Sequence, residues 1–232
     1  MIKYLTNIII LFSLLLFPSC DTSKGLNVLY LFDVSGSFHR EALPESILVS
    51  EKILELISDP SNGINEYPQT HQVSTIETQS IMIGSSEYIH IDKKNLFDIH
   101  QQVPEVDHSS LFSAIKNSER SSYTDISGAL LTASNSMQGN YKGKCLIVFS
   151  DFVEELKSEK DYIYSLDDII VFGVHAFSQN QIQQGNANQD IERFINMLLS
   201  AGCKRENIQI GSLSSIVNSP QQIISFFKER IY

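Results

Sequence analysis

The sequence predicts an α/β protein: a doubly wound, mostly parallel sheet with one antiparallel edge strand and helices on both faces, a Rossmann-like arrangement. Three observations predict it. Residues 27–33, 145–149 and 169–175 are nearly unbroken apolar runs rather than alternating ones, as in strands covered on both faces. Stretches with helical spacing of apolar residues fall between them. Two of the three runs also finish on oxygen-bearing residues, Asp33-Val34-Ser35 and Ser150-Asp151. In doubly wound sheets the carboxyl ends of the strands are where sites form.

Taken in order, 27–33 is the first buried strand. Residues 44–58 read as a helix: Pro44 suits its first turn, Ile47, Ile53, Leu54 and Ile57 share a face, and Asp59-Pro60 stops it. Residues 73–83 and 87–91 read as two strands around Gly84-Ser85-Ser86, a hairpin that supplies the antiparallel edge. The pattern then weakens to helical stretches around 96–102 and 111–118. Residues 126–137 form a helix ended by Gly139-Asn140, and 145–149 is the second buried strand. A short helix is expected within 162–168, a third buried strand at 169–175, and a polar, Gln- and Asn-rich surface loop at 179–189. A helix at 191–201, a strand at 208–212 and a closing helix at 220–229 behind Pro220 complete the domain.

The 232 residues suffice for one domain with a full core, and 42% hydrophobic against 19% charged is a globular composition. Lys+Arg 17 against Asp+Glu 27 gives a net charge of −10, so phosphate backbones repel the chain and no nucleic-acid partner is expected. The start of the chain reads differently. Lys3 precedes an apolar stretch over 8–17, then come Pro18-Ser19-Cys20 and the polar Asp21-Thr22-Ser23-Lys24-Gly25. That is the layout of a secretory signal peptide, and the apolar stretch is short for a membrane span. With a cysteine at the cleavage point it resembles the lipobox of bacterial lipoproteins. The resemblance implies a signal peptide at 1–19, a lipidated Cys20 with a short tether over 20–25, and a folded domain over 26–232. The domain would then be held at a membrane in the bacterial cell envelope, outside the cytoplasm. There Cys145 and Cys203 could oxidise to a disulfide, but the position of Cys145 in a core strand favours buried free thiols.

Asp33 and Asp151 follow strands expected to be parallel, which puts both carboxylates on one edge of the sheet. Such a pair repels and needs a cation or a shared proton. Ser121-Ser122-Tyr123-Thr124-Asp125, before the helix at 126–137, brings more oxygen groups to that edge, and Thr124 or Asp125 would also cap the helix. Asp-Val-Ser-Gly-Ser alone is equally an ordinary capped turn.

Asp33-Val-Ser35-Gly-Ser37, Thr124 ahead of Ala129-Leu130, and Asp151 after an apolar strand together resemble the von Willebrand factor type A domain and its metal-ion-dependent adhesion site. The resemblance covers about Leu26 to the C-terminus. It implies that Ser35, Ser37 and Thr124 bind Mg²⁺, or Mn²⁺, directly, with Asp33 and Asp151 acting largely through water. Hard oxygen ligands suit these ions. Neutral hydroxyls leave the ion electron-poor, so a protein partner's Glu or Asp completes the coordination: recognition, not catalysis. Many family members carry glycine where this chain has Phe152, whose ring would either narrow the approach to the ion or make an apolar contact beside it. The acidic 153–156 stretch favours a partner with a basic rim. Two other readings remain. A metal-dependent hydrolase would need a general base, for which His39 and Glu154 are candidates, and a metal-free envelope scaffold would use the fold alone. The six histidines show no metal-ligand spacing, and no Gly-x-Ser-x-Gly or phosphate-binding glycine loop is present.

Overall fold

The computed structural model describes residues 25–64, 69–76, 82–83, 89–91, 111–118, 120–156, 162–177 and 185–232. The expected signal peptide, Cys20 and the helical stretch at 96–102 lie outside these residues. The strands are β1 (Leu26–Asp33), β2 (Gln69–Ile76), β3 (Met82–Ile83), β4 (Ile89–Ile91), β5 (Gly143–Ser150), β6 (Ile169–His175) and β7 (Ile208–Ser212). The helices are α1 (Gly36–Glu41), α2 (Leu43–Ser58), α3 (Ser113–Lys116), α4 (Ile126–Ser136), α5 (Ala187–Ser200), α6 (Leu213–Asn218) and α7 (Gln221–Ile231).

Five strands form an all-parallel central sheet in the order β2-β1-β5-β6-β7. The apolar runs sit in its middle because both of their faces are covered. Tyr30 and Phe32 of β1 join Ile53, Leu54, Ile216 and Phe227 from α2, α6 and α7 on one face. Leu29 and Leu31 join Leu130, Ala133, Phe194 and Leu198 from α4 and α5 on the other. Connections leave β1 toward β2 on one side and return to β5 on the other. The crevice between the carboxyl ends of β1 and β5 is therefore the topological switch point, where ligands bind in folds of this kind.

The expected hairpin is not what forms. Met82–Ile83 pairs antiparallel with Val73 and Ser74, and Ile89–Ile91 pairs antiparallel with Gln69, Thr70 and His71. Both segments lie along β2, as two pieces of one edge. β2 begins four residues before the expected strand, at Gln69. Its polar start is buried because its side chains find partners. Gln69 Nε2 donates to the Ile57 carbonyl at 2.9 Å, His71 Nε2 meets Gln69 Oε1 at 3.0 Å, and Gln72 Nε2 donates to Asn27 Oδ1 at 3.0 Å.

Residues 162–168, expected to hold a short helix, form none: 162–166 have no regular structure and 167–168 make a turn. The Tyr162 hydroxyl donates to Asp125 Oδ2 at 2.6 Å and the Leu166 N–H to the Ala201 carbonyl at 2.8 Å, tying both ends of the segment outward. The expected 179–189 loop gives up its last residues to α5, which starts at Ala187. Cys145 and Cys203 are free and buried. They belong to opposite faces of the sheet, and burial pushes the Cys203 thiol up to about 11 and the Cys145 thiol higher still. Among the described residues, no helix is long and apolar enough to cross a membrane.

Candidate metal centre

Asp33 ends β1 and is fully buried. Phe32 pairs with Phe149, so Asp33 stands opposite Ser150, with Asp151 one residue beyond on the neighbouring strand. Asp33 Oδ1 accepts the Ser35 N–H at 2.8 Å, and Oδ2 accepts the Ser150 hydroxyl at 2.7 Å. Ser150 Oγ in turn accepts the Phe152 N–H at 2.9 Å, so one hydroxyl joins β1 to the turn after β5. Asp151 Oδ1 accepts the Val153 N–H at 3.0 Å.

The three sequence segments are stitched together by backbone. Ser121 donates its N–H to the Val34 carbonyl at 2.9 Å, and its own carbonyl accepts the Gly36 N–H at 3.2 Å. Ser35 and Ser121 thereby form a parallel bridge, and Thr124 and Glu155 an antiparallel one with N–H to carbonyl distances of 3.1 and 2.9 Å. Ser35, Thr124 and Asp151 are all buried or nearly so. Ser37 is the second residue of α1, whose first turn begins within the Asp-Val-Ser-Gly-Ser stretch. The structure thus gathers Asp33, Ser35, Ser37, Thr124 and Asp151 on segments that meet at the switch point.

Capping is divided between neighbours. Asp125, not Thr124, caps α4, with Oδ1 accepting the Gly128 N–H at 2.7 Å. A Cβ on Gly128 would lie 2.6 Å from that carboxylate, which explains the glycine. Glu154 Oε1 accepts the Ser127 N–H at 2.9 Å, pinning the 151–156 segment to the same helix end. Thr124 keeps its hydroxyl for other use: among the described residues nothing bonds to it.

The electrostatics are those of a crowded acidic crevice. Burial raises the Asp33 carboxyl, with hydrogen bonds from Ser35 and Ser150 pulling against it and Glu155 adding to the rise. Burial first, and the Asp33 charge second, push the Asp151 carboxyl up to about 7. Among the described residues no basic side chain pairs with Asp33. Two buried carboxylates with Ser35 and Thr124 beside them are a donor set for a hard, oxygen-loving cation, and a cation would relieve their repulsion. Asp33 accepts hydrogen bonds from the Ser35 backbone and side chain and from the Ser150 hydroxyl, which fix its carboxylate at the crevice. The residues present therefore fit Mg²⁺ or Mn²⁺.

Phe152 answers the question its position raised. Its φ is 61°, the left-handed conformation that glycine adopts freely and other residues adopt at a cost. The ring is buried and stacks on Phe194 of α5, centroids 4.3 Å apart and planes 6° from parallel. It lies in the core between α5 and Gly173, where a Cβ would meet it at 2.9 Å, and it makes an apolar contact rather than narrowing the approach to the crevice. Of the two general-base candidates, His39 Nε2 donates to the Ser118 carbonyl at 3.2 Å and Glu154 holds the α4 N-terminus. The sequence placed Ser150, Ser121 and Glu155 near the site without roles. The β1–β5 register and the two bridges supply them, Ser150 as the hydroxyl that holds Asp33, and Ser121 and Glu155 as the backbone partners of Ser35 and Thr124.

The fold is that of the von Willebrand factor type A domain. Structures similar to this chain include a von Willebrand factor type A protein from Catenulispora acidiphila, at TM-score 0.54 and 10% identity over 90% of this chain and 43% of that one. The pilus adhesin SpaC from Lactobacillus rhamnosus GG matches at TM-score 0.53 and 12% identity, over 89% of this chain and 31% of the adhesin. An aerotolerance-related membrane protein from Bacteroides fragilis matches at TM-score 0.50 and 14% identity, over 87% of this chain and 99% of that one. The chain spans less than half the length of the first two. No family model and no curated protein sequence matches it.

Proposed function

We propose that this chain is a lipid-anchored, extracytoplasmic binding module of the bacterial cell envelope that recognises a protein partner through a divalent cation. Asp33, Ser35, Ser37, Thr124 and Asp151 hold Mg²⁺, or Mn²⁺ in its place, and a Glu or Asp of the partner completes the coordination. Cys20 carries the lipid. The observation that carries the reading is the meeting of three separated segments at the switch point, with Asp33 and Asp151 buried side by side and their carboxyls raised. Fold neighbours that include a pilus adhesin and a membrane protein are in keeping with it.

The division of labour follows from ligand chemistry. Neutral hydroxyls bind the cation without cancelling its charge, while the carboxylates balance it from one water further out. The open position then prefers an anionic oxygen over a neutral one, so the cation serves as a receptor for carboxylate. Calorimetric titration of the full chain with MgCl₂ and MnCl₂ tests the site: binding that Asp33→Ala removes is expected, and no binding, or binding that Asp33→Ala leaves unchanged, contradicts it. Capture of a partner from envelope extracts in Mg²⁺ and its release by chelator would extend the test to recognition.

A further inference from the structure

Beside the candidate metal centre, at the carboxyl ends of β6 and β7, lies a cavity of about 390 Å³. Its walls include Phe38, Glu41, Glu45, His175, Phe177 and Ser212. The cavity adjoins the metal centre through the chain itself: Phe38 follows Ser37, and His175 pairs in register with Ser150, whose hydroxyl holds Asp33. β6 is two strands from β1, about 10 Å at ordinary strand spacing. Glu41 and Glu45, on the turn from α1 into α2, are exposed, and neither pairs with a cation among the described residues. Among the described residues, no Lys or Arg lines the cavity. His175 and Phe177, both in its lining, stack on each other with ring centroids 4.2 Å apart.

We propose that this cavity is a second recognition subsite, which takes an arginine side chain of the same partner whose carboxylate completes the metal centre. The proposal rests on the metal reading for the partner's carboxylate, but not for the cavity itself. Charge complementarity selects the occupant. Two unpaired carboxylates attract a cation, and a planar guanidinium both donates to carboxylates in a fork and lies flat on an aromatic ring, which an ammonium does less well. An extended chain advances about 3.3 Å per residue, so a span of about 10 Å puts the arginine about three residues from the metal-bound Asp or Glu. The partner's motif is thus an acidic and an arginine side chain separated by about two residues.

Amide chemical shifts of the full chain, labelled with ¹⁵N, test both halves separately. N-acetyl-arginine methylamide is expected to move the amides of Ala42, His175, Phe177 and Leu213 with or without Mg²⁺, and N-acetyl-norleucine methylamide is not. The double variant Glu41→Gln, Glu45→Gln, at exposed positions, should abolish the arginine response and leave Mg²⁺ affinity unchanged. N-acetyl-glutamate methylamide should move amides around Ser35 and Thr124 only with Mg²⁺. A blocked Glu-Gly-Gly-Arg peptide should bind about tenfold more tightly than Glu-Gly-Gly-norleucine, through the effective concentration of the second arm. Equal shifts from arginine and norleucine, an arginine response that survives the double variant, or equal affinity of the two peptides would each overturn the subsite. Failure of the glutamate probe alone would overturn the metal reading and leave the subsite standing.

Discussion

Replacing Asp151 with Asn should stabilise the metal-free domain and abolish its response to Mg²⁺. The carboxyl of Asp151 has an ordinary value of 3.8 and is pushed up to about 7, first by burial and then by Asp33. That difference corresponds to about 4 kcal/mol of preference for the neutral form when the group is fully ionised outside the fold. Because the folded value lies above the unfolded one, the stabilising contribution is complete below about pH 4 and is lost as pH rises through 7. Between pH 5 and pH 8 the loss is about 2.5 kcal/mol, or roughly 5–10 °C in Tm for a domain of this size. Asn keeps an oxygen for the Val153 N–H, which Asp151 holds at 3.0 Å, and carries no charge. Thermal and urea unfolding of both proteins in chelator across this range checks the idea. The wild type should weaken toward pH 8, and Asp151→Asn should weaken less and be the more stable there by about 2–4 kcal/mol. With Mg²⁺ at a hundredfold excess over its dissociation constant, the wild type alone should gain about 2.7 kcal/mol. Parallel pH curves for the two proteins, or a less stable Asn variant at pH 8 in chelator, would refute the reasoning.

Two further variants probe the supports of the site. Ser150→Ala removes the hydroxyl that joins Asp33 to the Phe152 N–H; it should cost about 1–3 kcal/mol in urea unfolding and weaken Mg²⁺ binding about 10- to 100-fold by calorimetry. Phe152→Gly relieves the strain of φ 61° but removes a buried ring stacked on Phe194, so a net loss of about 2–4 kcal/mol is expected, with Mg²⁺ affinity within a fewfold of wild type. A stabilised glycine variant would mean that strain outweighs packing at this position.

The elements legible in the sequence were those whose burial is written in apolar residues. β1, β5 and β6 announced themselves this way, as did α2 with Pro44 in its first turn and Asp59 at its end. β2 was legible only from Val73, because its first half is buried through hydrogen bonds among Gln69, His71, Gln72 and Asn27 rather than through hydrophobicity. α1 and α6 are six residues each and follow strand ends directly, so periodicity had too little length to register. α6 carries a usable sign, the Ser212 hydroxyl accepting the Ser215 N–H, but a serine after a strand reads equally as a turn. At the site, the oxygen-bearing residues were legible by type and order. Their second layer was not. Ser150 matters because the β1–β5 register sets it opposite Asp33, and Glu155 because its backbone pairs with Thr124. Phe152 looked like an obstacle in sequence, yet its backbone takes the glycine conformation while its ring turns into the core.

The most direct test of the central claim is a crystal structure of the full chain grown with Mn²⁺ and acetate, with anomalous scattering used to locate the ion. The account predicts a single anomalous peak bounded by the hydroxyl oxygens of Ser35, Ser37 and Thr124, with Asp33 and Asp151 one water away and an acetate oxygen at the open position. A peak elsewhere, or none at saturating Mn²⁺, would contradict it.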